Sequence, residues 1–298
     1  MAKSRIVIVK GKNVIRNGNE LNPYILFRML EKGISLLTQT NDFREGLSSF
    51  YRPRDRVGIK INTIAGKKLS TQPRLAFGVA HLLEKSGIKK RNIIIWDRTN
   101  RELKKAGYRL NFSGSGVKIF GTDTKGVDYD LDLTIHLNIG SRLSRIQSSL
   151  TDTSVSLAIL KDHGLAGITA GMKNYFGTIH NPNKYHDYNC NPFVAELNDI
   201  NLIKNKNKLS ILDALIVQYH RGPSYHPQWA EKYESLVFGT DPVATDFIGW
   251  QIIEKLRTKK GLPSLKEEKR EPAYLFTAAE MGLGKADLNQ IQLIETEI

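Results

Sequence analysis

The sequence predicts an α/β protein, with a mainly parallel or mixed sheet covered by helices on both faces. Three observations predict it. Short β-branched runs such as "NIIIWD" (92–97) are apolar at successive positions, as strands buried on both faces are. Amphipathic helical stretches alternate with those runs, the order that builds a sheet between two helical layers. At 298 residues, 40% hydrophobic and 25% charged, the chain can bury a full core as one α/β domain spanning 1–298.

The elements follow in order. "IVIV" (6–9) and "RVGIKIN" (56–62) read as strands, and "PRLAFGVAHLLEKSG" (73–87) as a helix stopped at Gly87. "NIIIWD" is the next strand, "NRELKKAGY" (100–108) a short helix, and "VKIFG" (117–121), "DLTIHLN" (132–138) and "SVSLAIL" (154–160) further strands. "LSILDALI" (209–216) and "SLVFG" (235–239) come after a long central section. The helix at 242–261 has Asp241 as N-cap, Pro242 at its first position and Gly261 as its stop. Two loop-rich excursions are expected, at 178–208 around a helix beginning at Pro192 with Asn191 as cap, and at 219–233.

Composition narrows the function. The net charge of +14 is uneven: Arg52 to Arg109 holds sixteen Lys and Arg against four Asp and Glu. A bias held in one segment points to an anion-facing surface more than to general nucleic-acid affinity. Nucleic acid is the alternative reading for 52–109, yet only Phe77, Trp96 and Tyr108 interleave its charges, few for stacking on single strands. No apolar run approaches the length of a membrane span, and the start of the chain shows no signal sequence, so a cytoplasmic location is expected. Cys190 is the single cysteine, which excludes an intrachain disulfide and a cysteine-held cluster.

Standard motifs fail. "GKKLS" (66–70) has Ile61 where a P-loop needs its first glycine and Lys68 where it needs a hydroxyl. "SGSG" (113–116) precedes a strand instead of opening a helix. His186, Asp187 and Cys190 are three mixed donors within five residues, too weak a pattern to assign a metal, and no cofactor is assigned either.

One constellation survives. Ligands collect at the carboxyl ends of strands in open α/β sheets. Lys60, Asn62 and the loop with Lys67 follow "VGI"; Asp97 and Arg98 follow "NIIIW"; Asn138 follows "TIHL"; Lys161, Asp162 and His163 follow "SLAIL"; Asp241 follows "LVFGT"; and Asp213 interrupts "SILDAL". Lys60, between isoleucines, must find a partner; it is a candidate base, Schiff-base former or anion clamp. His163 beside Asp162 is a candidate general base. Bland readings stand next to these: Asp241 as a helix cap, and Asp97 with Arg98 as a loop pair. The stretch "KDHGLAGITAGMKN" (161–174) allows two outcomes. A helix from Gly164 would hold Lys173 roughly 14 Å from its start; glycines that break the helix would let Lys161 and Lys173 converge.

"GIKIN", "KDHGLAGITAGMKNYFG", "IHNPNKYH" and "GTDPVATD" resemble segments of the domain of unknown function 362 family. The resemblance nominates Lys60, Asn62, Lys161, His163, Lys173, Asn174, Asp241 and Asp246, and its "IHNPNKYH" segment carries His180. Some members carry a ferredoxin-like cysteine cluster and some a twin-arginine leader; this sequence has neither pattern, so a redox partnership with iron–sulfur proteins is the weakest reading. The expected function is binding or turnover of a small anion, a carboxylate or phosphate compound. Lys60 and Lys161 would hold it, His163 would move a proton as in an isomerase or racemase, and Asn62, Asn174 and Asp213 would position groups.

Overall fold

The computed structural model of the protein describes residues 3–16 and 20–298. Eleven strands lie among them: β1 (Ser4–Lys10), β2 (Val57–Lys60), β3 (Ile93–Asp97), β4 (Lys118–Gly121), β5 (Thr134–His136), β6 (Ile139–Ser141), β7 (Thr153–His163), β8 (Gly167–Thr169), β9 (Asn207–Gln218), β10 (Ala230–Gly239) and β11 (Ile291–Glu297). The α-helices are α1 (Pro23–Thr38), α2 (Phe43–Ser48), α3 (Pro73–Lys85), α4 (Asn100–Lys105), α5 (Phe193–Asp199), α6 (Asn201–Lys204), α7 (Pro242–Lys259) and α8 (Tyr274–Glu280). The main sheet runs β11-β1-β10-β9-β7-β2-β3-β4, with β8 paired to β7.

Among the long strands only β10 runs against its neighbours; β11–β1 and the run β9-β7-β2-β3-β4 are parallel pairs throughout. The sheet is therefore mixed but mainly parallel, and both faces are covered. One core gathers Val7, Ile59, Ile95, Leu157 and Phe238 under α1 and α3. The other gathers Ile8, Leu160, Leu212 and Val237 under α7 and α8. β1, β7, β9 and β10 feed both cores through their alternating side chains, while Ile94, Trp96 and Phe120 of β3 and β4 turn to a smaller third cluster; buried on both faces, these strands read as unbroken apolar runs.

Helix α1 buries Leu26, Met29, Leu30, Gly33, Ile34 and Leu37, a stripe at helical spacing, with Asn22 capping Tyr24 N and Pro23 opening the first turn. Helix α7 begins as expected: the Asp241 carboxylate accepts from Ala244 N at 2.9 Å. The same group accepts from Ser4 Oγ and Lys285 N. Asp241→Ala should cost about 2 kcal/mol in chemical denaturation, the upper range for a lost cap.

Four expectations need correction. "DLTIHLN" supplies β5 of a separate two-stranded sheet with β6, so Asn138 faces away from the main sheet edge and donates to Glu196. Helix α5 begins at Phe193 with no side-chain cap, in place of an Asn191-capped helix from Pro192. The excursion at 219–233 ends early, because β10 takes over at Ala230. Lys161, Asp162 and His163 do not follow β7; they are its last three residues.

Candidate functional site

The parallel strands β2, β3 and β7 end at one edge. There Lys60, at the end of β2, lies in register with Trp96 of β3. Its ammonium donates to Ile61 O (2.7 Å), Asp97 Oδ1 (2.7 Å) and Asn174 Oδ1 (3.1 Å). All three N–H groups are thereby used, and the side chain is 1% exposed. Asp97 is equally committed: Oδ2 accepts from Thr63 N and Oγ1, and Oδ1 also accepts from Arg98 N. Asn174 closes the knot by donating to Lys60 O and Ser156 Oγ. Gly177 lies against this cluster, where a Cβ would meet Lys60 Nζ at 2.8 Å and Asp97 Oδ1 at 3.1 Å. Lys60 is thus held at the strand end by three acceptors.

The glycines of 161–174 break the helix. β7 ends at His163, a turn with Gly167 at φ +75° reverses the chain, β8 pairs back along β7, and a 3₁₀ segment covers Lys173–Thr178. Strand alternation sends Lys161 and His163 to one face and Asp162 to the other. Asp162 therefore does not orient His163. It accepts from Arg270 Nη1 (2.6 Å) and Gly222 N (2.7 Å), with Arg257 Nη1 at 3.8 Å. Burial raises its pKa while the arginines oppose the rise.

His163 Nδ1 accepts from Leu165 N and Ala166 N, each at 3.2 Å. Two donors on Nδ1 leave the ring proton on Nε2. Burial, reinforced by the charges of Lys173, His186, Lys161 and Arg270, lowers its pKa to about 2. The ring presents its Nε2–H as a hydrogen-bond donor to the cavity. It stacks on His186, centroids 5.8 Å apart. His186 Nδ1 lies 3.0 Å from Pro182 O and so carries a proton, which leaves Nε2 to accept from Lys173 Nζ at 3.2 Å. Burial lowers Lys173 to about 8, with the Cys190 thiol opposing the fall. The Lys173 ammonium also lies 4.2 Å from the Phe176 ring centroid.

These groups enclose a cavity of ≈ 210 Å³. Lys60, Asn62, Asp97, Arg98, His163, Lys173 and Asn174 line it. So do Glu102, Thr169, Phe176, Pro182 and His186, which the strand-end reasoning passes over because four of them come from the helix and loops that close the cavity. The signal for His186 was its place in "IHNPNKYH". The Asn62 side-chain oxygen is buried without a hydrogen-bond partner. A larger open groove of ≈ 700 Å³ lies between α1, α2 and the end of β11, where Asp42 already pairs with Arg44.

Six nominated residues lie outside the cavity wall. Lys161 is fully buried behind it; its one hydrogen bond, to Leu69 O, is 3.4 Å long, and burial lowers its pKa to about 7. Lys67 is exposed on the loop after β2. His180 is exposed beside Ser141 and Tyr129, and only its backbone carbonyl touches Arg98. Asp213 is buried mid-β9, accepts from Leu215 N, and is pushed up to about 7 by burial. Asp241 follows β10, and because β10 runs antiparallel it lies at the opposite edge of the sheet. Asp246, nominated by resemblance, is buried beneath the site and accepts from Gly171 N and Met172 N, holding the turn before Lys173.

The sequence profile of a family described as Domain of unknown function (DUF362) matches residues 57–251, from the start of β2 into α7. The chain belongs to this family. The matched DUF362 region holds every residue that lines the cavity. No curated protein matches the chain. Among solved structures, a structural-genomics target from Thermotoga maritima aligns at 12% identity with a TM-score of 0.45, over 82% of this chain and 60% of that protein. The DUF362 chain thus spans less than two thirds of that protein's length. Among the described residues no helix is long and apolar enough to cross a membrane.

Proposed function

We propose that this DUF362 protein binds a small anionic compound, a carboxylate or phosphate, in the cavity at the ends of β2, β3 and β7. One observation carries the reading: two cations without a carboxylate partner and a histidine N–H converge there. Lys173 and Arg98 have no carboxylate within ion-pair distance among the described residues, and His163 presents an Nε2–H. Lys60 and Asp97 neutralise each other, which leaves two cations against Glu102. An anion that enters meets charge-assisted donors, of which the Lys173 ammonium is buried, where such bonds act most strongly.

Proton transfer, as in an isomerase or racemase, passes in this reading from His163 to Lys173. Lys173 lies against the cavity with its pKa lowered to about 8, so near neutral pH it exchanges a proton readily. The nucleic-acid reading finds less support. Arg52, Arg54 and Lys89 to Arg91 precede β2 and β3, while Lys67, Lys68 and Arg98 follow them, so the basic segment is split between two edges.

Titration calorimetry with inorganic phosphate and with acetate tests the proposal. The wild-type chain should bind at least one of them saturably, and Lys173→Met should weaken that binding tenfold or more, about 1.4 kcal/mol. Lys67→Ala should leave it unchanged. Equal binding by wild type and Lys173→Met would sink the reading.

A further inference from the structure

Glu102 lies in the cavity wall, and binding of a plain anion gives it nothing to do. It is the third residue of α4, behind the Thr99 cap, so Thr99-x-x-Glu102 is the sequence pattern of a capping box. The box does not close. Thr99 Oγ1 accepts from Glu102 N at 3.2 Å, but among the described residues the Glu102 carboxylate accepts from neither Thr99 N nor any other donor. Asp123 takes the negative place at that helix end, where its Oδ1 accepts from Asn100 N at 2.7 Å. The end of α4 is thus satisfied without the Glu102 side chain, which is half-buried at the cavity wall.

Arg98, four residues earlier, lines the same cavity, yet no ion pair joins the two among the described residues; its guanidinium donates to His180 O at 3.2 Å. Lys173 is turned to His186 Nε2. Lys60 is matched by Asp97, so the wall keeps two cations and one carboxylate apart from each other. His163 and His186 add no charge near neutral pH, because burial lowers the pKa of both rings. A dianion alone would satisfy Arg98 and Lys173 and be repelled by Glu102. A compound with two acidic charges and one ammonium meets all three groups.

We propose that the ligand is of this class: an amino acid with a second acidic group, or the phosphate ester of a short amino alcohol. Its acidic oxygens lie on Lys173 and Arg98, and its ammonium lies on Glu102. The inference rests on the anion site proposed above and names the ligand's second charge. Size fits it. The cavity of ≈ 210 Å³ is below the range of about 300 Å³ and upward in which drug-sized ligands bind. Phe176 and Pro182 give the short carbon skeleton an apolar wall.

Titration calorimetry of the full chain with two matched pairs tests the proposal: L-aspartate against succinate, and O-phosphoethanolamine against ethyl phosphate. The members of each pair differ only in the ammonium. At least one amine-bearing member should bind tenfold or more tightly than its counterpart, and the pair that shows this tells carboxylate from phosphate. Glu102→Gln should weaken that compound tenfold or more and tighten its amine-free counterpart, opposite shifts that a loss of folding cannot produce. The variant keeps the backbone bond to Thr99, so its melting temperature should not move. Amine-free members that bind as tightly as their counterparts in both pairs overturn the inference; the anion site then stands if phosphate or acetate still binds. A preference for the ammonium that survives Glu102→Gln overturns it as well. Failure of every one of these compounds to bind, phosphate and acetate included, removes the anion site and this inference together.

Discussion

Asp97→Ala should lower the unfolding free energy by about 3–5 kcal/mol, the usual cost of removing one partner from a buried ion pair. For a chain of this size that is a fall in melting temperature of roughly 10 °C. The cost follows from what the carboxylate holds. Asp97 is 5% exposed and accepts from Lys60 Nζ, Thr63 N, Thr63 Oγ1 and Arg98 N. Removing it leaves the Lys60 ammonium, 1% exposed, with neutral acceptors only. The double variant Lys60→Met/Asp97→Leu should recover part of the loss, because a pair replaced by apolar groups strands no charge. Differential scanning calorimetry on the two single variants and the double closes the cycle. A loss below about 1 kcal/mol for Asp97→Ala would mean that this pair does not organise the strand ends.

The same cluster shows which parts of the site were legible in the sequence. Lys60, Asp97 and Arg98 could be placed because an ionisable residue at the end of an apolar run has few places to go in an open sheet. Their partnership was not legible, since β2 and β3 are separated by α3 and nothing local gives their register. Asp241 was misplaced for a related reason. A strand's direction within a sheet is a tertiary property, and the apolar run "SLVFG" reads the same whichever way β10 points. The pairing of His163 with Asp162 failed more instructively. The sequence puts Asp162 next to it, but adjacent strand residues face opposite sides, so adjacency argued against the pairing once β7 was extended to include both. Helix α1 was legible and passed over: Asn22 before Pro23, then apolar residues at helical spacing, is a regular start signal.

Lys161→Met should stabilise the protein by about 1–4 kcal/mol at pH 6, in the range found when buried ionic groups give way to apolar ones of similar volume. Lys161 is fully buried, with a single 3.4 Å bond to Leu69 O. Burial, only partly offset by the charge of Asp97, lowers its pKa from 10.5 to about 7. Below pH 7 the lysine is charged in both folded and unfolded chains, and the folded state bears the full desolvation cost. Between pH 7 and 10.5 the unfolded chain holds a proton that the folded chain has released, so wild-type stability rises with pH across that window. The advantage of Lys161→Met should therefore be constant below pH 7 and shrink toward pH 10. Comparing the two chains by urea denaturation at pH 6 and pH 9 cancels the opposite trend from Asp213 and Asp246. Their raised pKa values, both about 7, contribute stability that is lost as pH rises from about 4 to 7 in either chain. An advantage that grew with pH would contradict the burial argument. A stabilising result would also bear on the site. A residue whose removal strengthens the fold is not explained by stability, and Lys161 meets the loop that carries Asn62 into the cavity wall. The phosphate and acetate titrations, repeated on Lys161→Met, then separate two roles: weaker anion binding in a more stable protein makes Lys161 a positioning residue for that loop, and unchanged binding leaves it outside the site.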